Sequence, residues 1–378
     1  MEEVAQENLK DLIERNLISI EKLKINGKPK SCRIHDLVRD LCIKLEKKSF
    51  FINRPLSILS NYIEGEFNIM QSMPSNRSFI CSADTEFDSK FKYGSELLRL
   101  LKPPQFCNDE FVDELTELPN LRWLKVPFIK STTSISKLWN LQYLFVFEFW
   151  ENHLPLYIWK MPQLRHLEVP SPSLPPLPGR TEMPVCVLKN LETLFVIENF
   201  RCDDEVLLRI PNLRKLKIHY EDDDEASDWS YYRLNNLVKM SKLETLSCEF
   251  EGISTETLVA NLAFPMSLKK LSLSGCEIPW EHIEIIGPTW ETIEDNFKKL
   301  EYLMIHWPVD LNEWIVEDAN HFPSLRHLVL EGCKDLEEIP TCILDICSDG
   351  VVSSAKNIQD DNEIKLIINN TTRHAYDD

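Results

Sequence analysis

The chain has 378 residues, 43% of them hydrophobic, and its 42 basic and 61 acidic residues give a formal net charge of −19. This length exceeds what one ordinary hydrophobic core holds and suits a chain of stacked units. The excess of negative charge argues against nucleic acid or an anionic membrane as the main partner, because phosphate groups would be repelled.

The beginning of the chain predicts a helix, a hairpin and a second helix. Apolar residues recur at helical spacing over 4–15. Leu17–Ile20 and Ser31–Ile34 predict two strands, which the turn signal Asn26-Gly27 joins. A second helix is expected over 35–47. This order is typical of part of a winged-helix module. Winged helices often bind DNA, but the first helix here is acidic, which disfavours a DNA role.

Most of the remaining chain repeats one pattern, Leu-x-x-Leu-x-Leu, with clear copies beginning at Leu268 and Leu325. The first leucines, which we call anchors, are Leu98, Leu121, Leu141, Leu164, Leu191, Leu213, Leu243, Leu268, Leu300 and Leu325. Their mean spacing of about 25 residues lies in the range of a leucine-rich repeat. One unit cannot bury its apolar face alone, so the pattern predicts an α/β solenoid, a horseshoe with one parallel strand per repeat on its concave side. The alternative is a mixed fold with leucine-rich strands.

These patterns divide the chain into three parts: a partial winged-helix module (1–50), a connector (51–75) and a leucine-rich-repeat domain (76–378). The repeat domain is expected to open with an irregular strand over 76–81. Near its end, Ile364–Ile368 predicts a last apolar strand that closes the solenoid, since terminal repeats need a cap.

Two insertions interrupt the repeats. The acidic run 221–225 lacks the alternating oxygen ligands and the glycine turn of a calcium loop, and we interpret it as a solvated loop. The second insertion includes 278–287 and predicts a short helix on the convex side.

Side chains that flank the second and third leucines of each repeat are expected to face the concave surface. Exposed aromatic residues in one patch usually mark an interface. The predicted partner-binding residues are Trp123, Tyr143, Phe145, Phe147 and Phe195 in the early repeats, Lys215, Lys217, His219 and Lys270 in the middle, and Tyr302, His306 and His327 in the later repeats. The middle lysines predict a basic group that meets an acidic surface. The alternative is that an irregular register buries some of these residues.

The sequence carries no recognisable catalytic motif. It contains neither His-Glu-x-x-His nor Gly-x-Ser-x-Gly, and none of its eleven cysteines forms a Cys-x-x-Cys pair, so neither an enzyme nor a metal site is predicted. An odd number of cysteines without a disulfide framework favours a reducing compartment. No signal peptide and no apolar run of the roughly 20 residues that span a bilayer is evident. We therefore expect a cytoplasmic location, with membrane-peripheral and nuclear locations left open.

The segment Cys32–Cys42, which contains Ile34-His35-Asp36, resembles the end of the nucleotide-switch region in plant intracellular immune receptors of the coiled-coil, nucleotide-binding, leucine-rich-repeat class. Late blight resistance proteins of the potato and tomato family are the most similar subgroup. The resemblance implies that His35 senses a bound nucleotide phosphate, that Asp36 supports it, and that Ile34 replaces the methionine of the family motif. It covers nearly the whole chain and implies the C-terminal part of a disease resistance protein.

The same resemblance implies that the early and the later repeats bind different partners. The early repeats would fold back on the receptor's own nucleotide-binding and coiled-coil domains, and the later repeats would recognise a pathogen effector or a guarded host protein. The sequence has no Gly-x-x-x-x-Gly-Lys-Ser/Thr loop, so we expect no ADP or ATP to bind this chain alone. The alternative is an adaptor, such as a substrate-recognition subunit of a ubiquitin ligase, which would carry an F-box in place of the hairpin and the His-Asp motif.

Overall fold

The computed structural model describes residues 2–23, 29–38, 55–58, 77–81, 86–87, 97–103, 106–107, 115, 118–129, 135, 137–149, 153–154, 156–170, 172–177, 187–221, 229–251, 262–275, 297–306, 322–331 and 365–369. The chain forms two compact units, Met1–Arg54 and Pro55–Asp378.

The first unit contains helix α1 (Glu2–Glu14) and an antiparallel hairpin of strands β1 (Ile18–Leu23) and β2 (Pro29–Ile34). The helix ends because Asn16 adopts a left-handed conformation (φ 56°), which turns the chain toward β1. The predicted order of helix, strand and returning strand is confirmed. A helical turn begins at Asp36, and the rest of the predicted second helix lies outside the described residues.

The second unit is built on a sheet of thirteen described strands. Its strands are β3 (Pro55–Ile58), β4 (Ser78–Cys81), β6 (Leu100–Lys102), β8 (Trp123–Ile129), β9 (Tyr143–Phe149), β10 (His166–Glu168), β11 (Thr193–Glu198), β12 (Lys215–Glu221), β13 (Thr245–Glu251), β14 (Lys270–Ser274), β15 (Tyr302–His306), β16 (His327–Glu331) and β17 (Lys365–Asn369). Strands β5 (Glu86–Phe87) and β7 (Phe106–Cys107) form a separate parallel pair. Some segments that connect strands of the large sheet along the chain contain short helices. These are helix α2 (Asp204–Arg209) and three 3-10 helices, Leu156–Lys160, Trp229–Tyr232 and Leu234–Lys239.

The strands of the large sheet follow chain order, and neighbours from β3 to β16 are parallel. One strand per repeat in this order is the architecture of a leucine-rich-repeat solenoid. The sheet also contains Pro55–Ile58, a stretch that the sequence analysis assigned to a connector. At the other end, the predicted closing strand is present as β17, and it pairs antiparallel with β16.

The anchor leucines explain why the repeats stack. All ten anchors are at most 2% exposed. Three residues after each anchor from Leu121 onward, the second leucine of the pattern lies in register with the second leucine of the next repeat. This buried ladder consists of Leu124, Leu144, Leu167, Leu194, Leu216, Leu246, Leu271, Leu303 and Leu328. Alternate residues of each strand point outward, because successive side chains in a strand face opposite sides.

Polar side chains just before several anchors tie each turn to the preceding repeat. The amide of Asn140 donates to the Pro119 carbonyl oxygen at 2.8 Å, and the amide of Asn190 donates to the Pro162 carbonyl oxygen at 2.8 Å. Asn212 donates to the Lys189 carbonyl oxygen at 2.6 Å. These bonds satisfy carbonyl groups of the turns that strands do not pair.

Gly275 closes the turn after β14. Its φ of +69° is a conformation that side chains rarely adopt, and a Cβ atom there would collide with the Phe250 carbonyl oxygen. Of the acidic run 221–225, which was predicted to be a loop, Glu221 is the last residue of β12 and is exposed, whereas 222–225 lie outside the described residues. The insertion at 278–287 lies outside them as well.

Candidate protein-binding surface

The parallel register arranges the outward-facing side chains of the sheet into rows that run across the repeats. The first row contains Trp123, Tyr143, His166, Thr193, Lys215, Thr245, Lys270, Tyr302 and His327. A second row contains Lys125, Phe145, Glu168, Phe195, Lys217, Ser247, Ser272, Met304 and Val329. A third row contains His219, Glu249, Ser274, His306 and Glu331. The predicted partner-binding residues other than Phe147 therefore lie in these rows.

The early repeats bring four of the predicted aromatic residues together in two pairs. The rings of Trp123 and Tyr143 stack at 5.1 Å with an interplanar angle of 8°. Phe145 and Phe147 meet edge to face at 4.8 Å. Lys125 Nζ lies 4.1 Å from the Phe145 ring centre and 4.5 Å from that of Phe147, within the range of a cation–π contact.

The charge of Glu168 adjoins this aromatic cluster. Burial raises the pKa of the Tyr143 phenol to about 12, and the negative charge of Glu168 and its hydrogen bond with the phenol act in the same direction. Burial and the neighbouring charge of Lys102 lower the pKa of Lys125, which Glu168 partly opposes. The cluster is therefore a partly dehydrated surface that also contains the negative charge of Glu168.

Substituting Tyr143→Phe should remove a pH dependence of stability. The folded-state pKa of about 12 exceeds the ordinary value of 10.0, so folding favours the neutral phenol. The contribution of the neutral phenol to the free energy of unfolding is lost as the pH rises from 10 to 12. Urea unfolding midpoints of the parent should fall over this window more steeply than those of the variant. Tyr157→Phe, at a partly exposed ring, serves as the control and should keep the parental slope. Equal slopes for the parent and Tyr143→Phe would contradict the assignment.

Phe195 lies on an irregular strand and is exposed. The register between β11 and β12 shifts between Leu194 and Ile197, and Val196 has a positive φ of 60°. Such a bulge redirects the outward side chains. Phe195 is 42% exposed, and Lys217 Nζ lies 5.9 Å from its ring centre.

A further row of mostly charged residues lies where the strands begin, and each member from Arg99 onward directly follows an anchor. Each backbone N–H of this row donates to the carbonyl oxygen of the same position one repeat earlier, for example Arg122 to Arg99 at 2.8 Å. The row reads Arg77, Arg99, Arg122, Gln142, Arg165, Glu192, Arg214, Glu244, Lys269, Glu301 and Arg326. Its signs alternate from Arg165 onward, whereas its first three members are all positive.

Ion pairs neutralise part of the alternating section. Arg165 binds Glu192 at 2.7 Å, and Glu244 contacts Arg214 at 3.1 Å and Lys269 at 3.5 Å. By contrast, Arg77, Arg99 and Arg122 form no ion pair with any residue that the structure describes. Positive charge is therefore concentrated beside the aromatic cluster. We call the combined set the early basic–aromatic surface: Arg77, Arg99, Lys102, Arg122, Trp123, Lys125, Tyr143, Phe145 and Phe147.

The basic group predicted in the middle repeats is partly neutralised. Lys217 Nζ pairs with Glu249 at 3.0 Å, and His219 lies among three glutamates. Lys270 Nζ lies 5.6 Å from the Tyr302 ring centre, and Lys215 is exposed. The sequence reasoning missed the arginines after the anchors, although their recurrence at one repeat position was a usable signal.

The two histidines predicted to bind a partner in the later repeats differ in burial. His306 is half-buried, with Nδ1 at 3.1 Å from Ser274 Oγ and Nε2 at 3.9 Å from Glu331. His327 lies in the first row but is only 9% exposed. Four of the five residues of β16 are buried, so His327 offers little surface to a partner, and its predicted binding role stays a prediction.

The predicted nucleotide-sensing residues lie in the first unit at the end of β2. Ile34 and Asp36 are exposed, as is His35, whose Nδ1 accepts a hydrogen bond from the Leu37 N–H at 3.3 Å. The His35 N–H donates to the Leu17 carbonyl oxygen at 3.2 Å. The histidine thus caps the start of the second helix.

In comparisons with known proteins, residues 1–42 match the disease resistance protein winged helix domain, and in this chain a leucine-rich-repeat solenoid follows. Over 95% of its length the chain is 29% identical to late blight resistance protein R1-A of Solanum demissum. It is also 29% identical over 97% of its length to the putative late blight resistance protein homolog R1B-12 of that species. The chain is thus homologous to late blight resistance proteins over most of its length. It spans 32% of each of these relatives, about a third of their length.

Among solved structures, a leucine-rich-repeat protein of Leptospira interrogans aligns with 78% of this chain and 80% of its own length, at 17% identity and a TM-score of 0.40. The repeat architecture itself rests on the strand order and register of this chain. In the part of the chain that the structure describes, no helix is both long and apolar enough to cross a membrane.

Proposed function

We propose that this chain is the regulatory and recognition part of an intracellular plant immune receptor. In this proposal the early basic–aromatic surface holds the nucleotide-binding region of the receptor in its inactive state. The later repeats recognise a pathogen effector or a guarded host protein and thereby trigger the defence response. The observation that supports the first role best is the coincidence of paired aromatic rings with three arginines that lack a carboxylate partner among the described residues.

The composition of this surface is that of a protein-binding site. Tryptophan, tyrosine and arginine are the residues most enriched among interface hot spots. Phe147 is 45% exposed, and burying its ring would remove apolar surface from water. The arginines would select an acidic partner, because charge complementarity favours the correct encounter and penalises a basic one.

In this proposal, the nucleotide-binding region is held or released according to a shift in the populations of an inactive and an open state. A partner that binds the later repeats can activate the receptor only if it prefers the open state, in which the early surface is released. The two proposed sites lie in different repeats of one continuous sheet. One chain can therefore bind the nucleotide-binding region and a second protein at separate places.

The first unit supports the same assignment. Leu37 and Ile34, on either side of His35 and Asp36, are 74% and 48% exposed. In the proposal these apolar side chains pack against the nucleotide-binding region, and His35 and Asp36 complete its nucleotide site. Nucleotide binding is thus assigned to the assembled receptor in the cytoplasm, and this chain contributes by binding rather than by catalysis.

A co-expression assay tests the proposed holding contact. The chain is expressed with the part of late blight resistance protein R1-A that lies outside the aligned region, and association is measured by affinity capture. Phe145→Ala combined with Phe147→Ala should weaken association by roughly thirtyfold or more, because even one aromatic hot spot contributes about 2 kcal/mol. Trp139→Ala is the control, since Trp139 is 63% exposed but lies in a turn before an anchor.

Circular dichroism would establish that the double variant folds like the parent. If the folded double variant associates as strongly as the parent, the aromatic cluster does not hold the nucleotide-binding region. The proposal for the early repeats would then be wrong.

A further inference from the structure

Four charged side chains converge on the outward face where β12 and β13 end. His219 and Glu221 are two residues apart on β12, and Glu249 and Glu251 are two residues apart on β13. The parallel register pairs His219 with Glu249 and Glu221 with Glu251. The alternation of a strand and the register together place all four on one side of the sheet.

The distances between these groups fit a metal site. His219 Nε2 lies 3.2 Å from Glu221 Oε1 and 3.5 Å from Glu251 Oε2, and the three ligand atoms lie within 4.8 Å of one another. Two ligands at about 2.0–2.1 Å from a tetrahedral zinc ion are themselves separated by about 3.3–3.4 Å. Both measured nitrogen–oxygen distances are close to that separation.

A carboxylate outside the proposed ligand set faces the other nitrogen of the imidazole ring. Nδ1 of His219 lies 3.6 Å from Glu249 Oε2, and the same Glu249 oxygen lies 3.0 Å from Lys217 Nζ. A carboxylate that faces the second nitrogen of a ligating histidine is the usual support of a zinc ligand. His219 Nε2 is buried from solvent and makes no hydrogen bond with the described residues, although two carboxylate oxygens face it.

We propose that His219, Glu221 and Glu251 bind a divalent zinc ion, with water completing the coordination. One imidazole nitrogen and two carboxylate oxygens suit zinc, whereas calcium and magnesium prefer shells of oxygen ligands. The ion accepts the lone pair of His219 Nε2, and a proton on that nitrogen leaves to solvent. The bound ion replaces a proton-dependent ion pair with a coordinate link between β12 and β13.

The proposal predicts zinc binding that depends on these ligands. Calorimetric titration of the full chain with zinc, after its accessible thiols are alkylated, should show a site that His219→Gln abolishes. Glu251→Gln should weaken it by at least about tenfold, since even an outer-shell change costs 10–100-fold. The side chain of Glu251 is 74% exposed, so this second variant is expected to fold normally.

Glu331→Gln is the matched control. Glu331 lies 3.9 Å from His306 Nε2 in the same row, and neither residue belongs to the proposed ligand set. Zinc affinity should equal that of the parent in this variant, and X-ray absorption should show a ligand shell of nitrogen and oxygen. Absence of zinc binding in the parent, or parental zinc affinity in either ligand variant, would overturn the proposal and leave only an ion-pair network. A sulfur-only ligand shell would overturn it as well.

Discussion

Leu271→Asp is expected to unfold the repeats around β14. Leu271 is 3% exposed and lies in register between Leu246 and Leu303 in the buried ladder. Loss of a buried leucine costs about 2–5 kcal/mol, and an uncompensated buried carboxylate adds several more. The sum is comparable with the whole stability of a typical domain, about 5–15 kcal/mol.

The loss should be local at first, since each repeat of a solenoid contacts mainly its neighbours. Hydrogen exchange should show amide protection lost in β13, β14 and β15 before it is lost in β8 and β9. Ser272→Asp is the control, because the next residue points outward and is only half-buried. A parental unfolding profile for Leu271→Asp would mean that the leucine ladder is not the core.

Arg99→Glu combined with Arg122→Glu should weaken association with the nucleotide-binding region more than any other charge change on the sheet. Neither arginine has an ion-pair partner among the described residues, so reversal removes attraction to an acidic partner without freeing a carboxylate in this chain. We expect at least a tenfold loss of affinity at about 0.05 M salt, and a smaller loss at about 0.5 M, where charges are screened.

Lys215→Glu combined with Lys217→Glu provides the comparison. Lys217 is already paired with Glu249, so the middle lysines offer less charge to a partner. Their reversal should weaken association less, and also in a salt-dependent way. A larger effect from the middle pair than from the arginines would place the contact further along the solenoid.

The solenoid could be predicted from the sequence because its signal is redundant. Each anchor leucine is followed by another at a fixed offset, and the same inward position recurs in every repeat. The first strand of the large sheet was not predicted, because it lacks this signal. Pro55–Ile58 carries no anchor pattern and is recognisable only by its pairing with Ser78–Cys81. The closing strand was predicted from its apolar run, but its antiparallel direction was not.

The binding surface was only partly predictable from the sequence, because the register between neighbouring strands decides which charged side chains neutralise one another. Lys217 and Glu249 are far apart in the chain and become neighbours when β12 and β13 align. For the same reason, the approach of His219 to Glu221 and Glu251 is visible in the sequence only if the two repeats are superposed. The burial of His327 could not be predicted from its repeat position, since it depends on packing around β16.

Site-specific photocrosslinking tests the central claim most directly. Tyr143 and Tyr302 occupy the same row in early and late repeats, so each can be replaced by p-benzoylphenylalanine as a matched pair. In the complex with the nucleotide-binding region, position 143 should form crosslinks to that region and position 302 should not. Crosslinks from position 302 alone, or from neither position in a complex that still forms, would contradict the account.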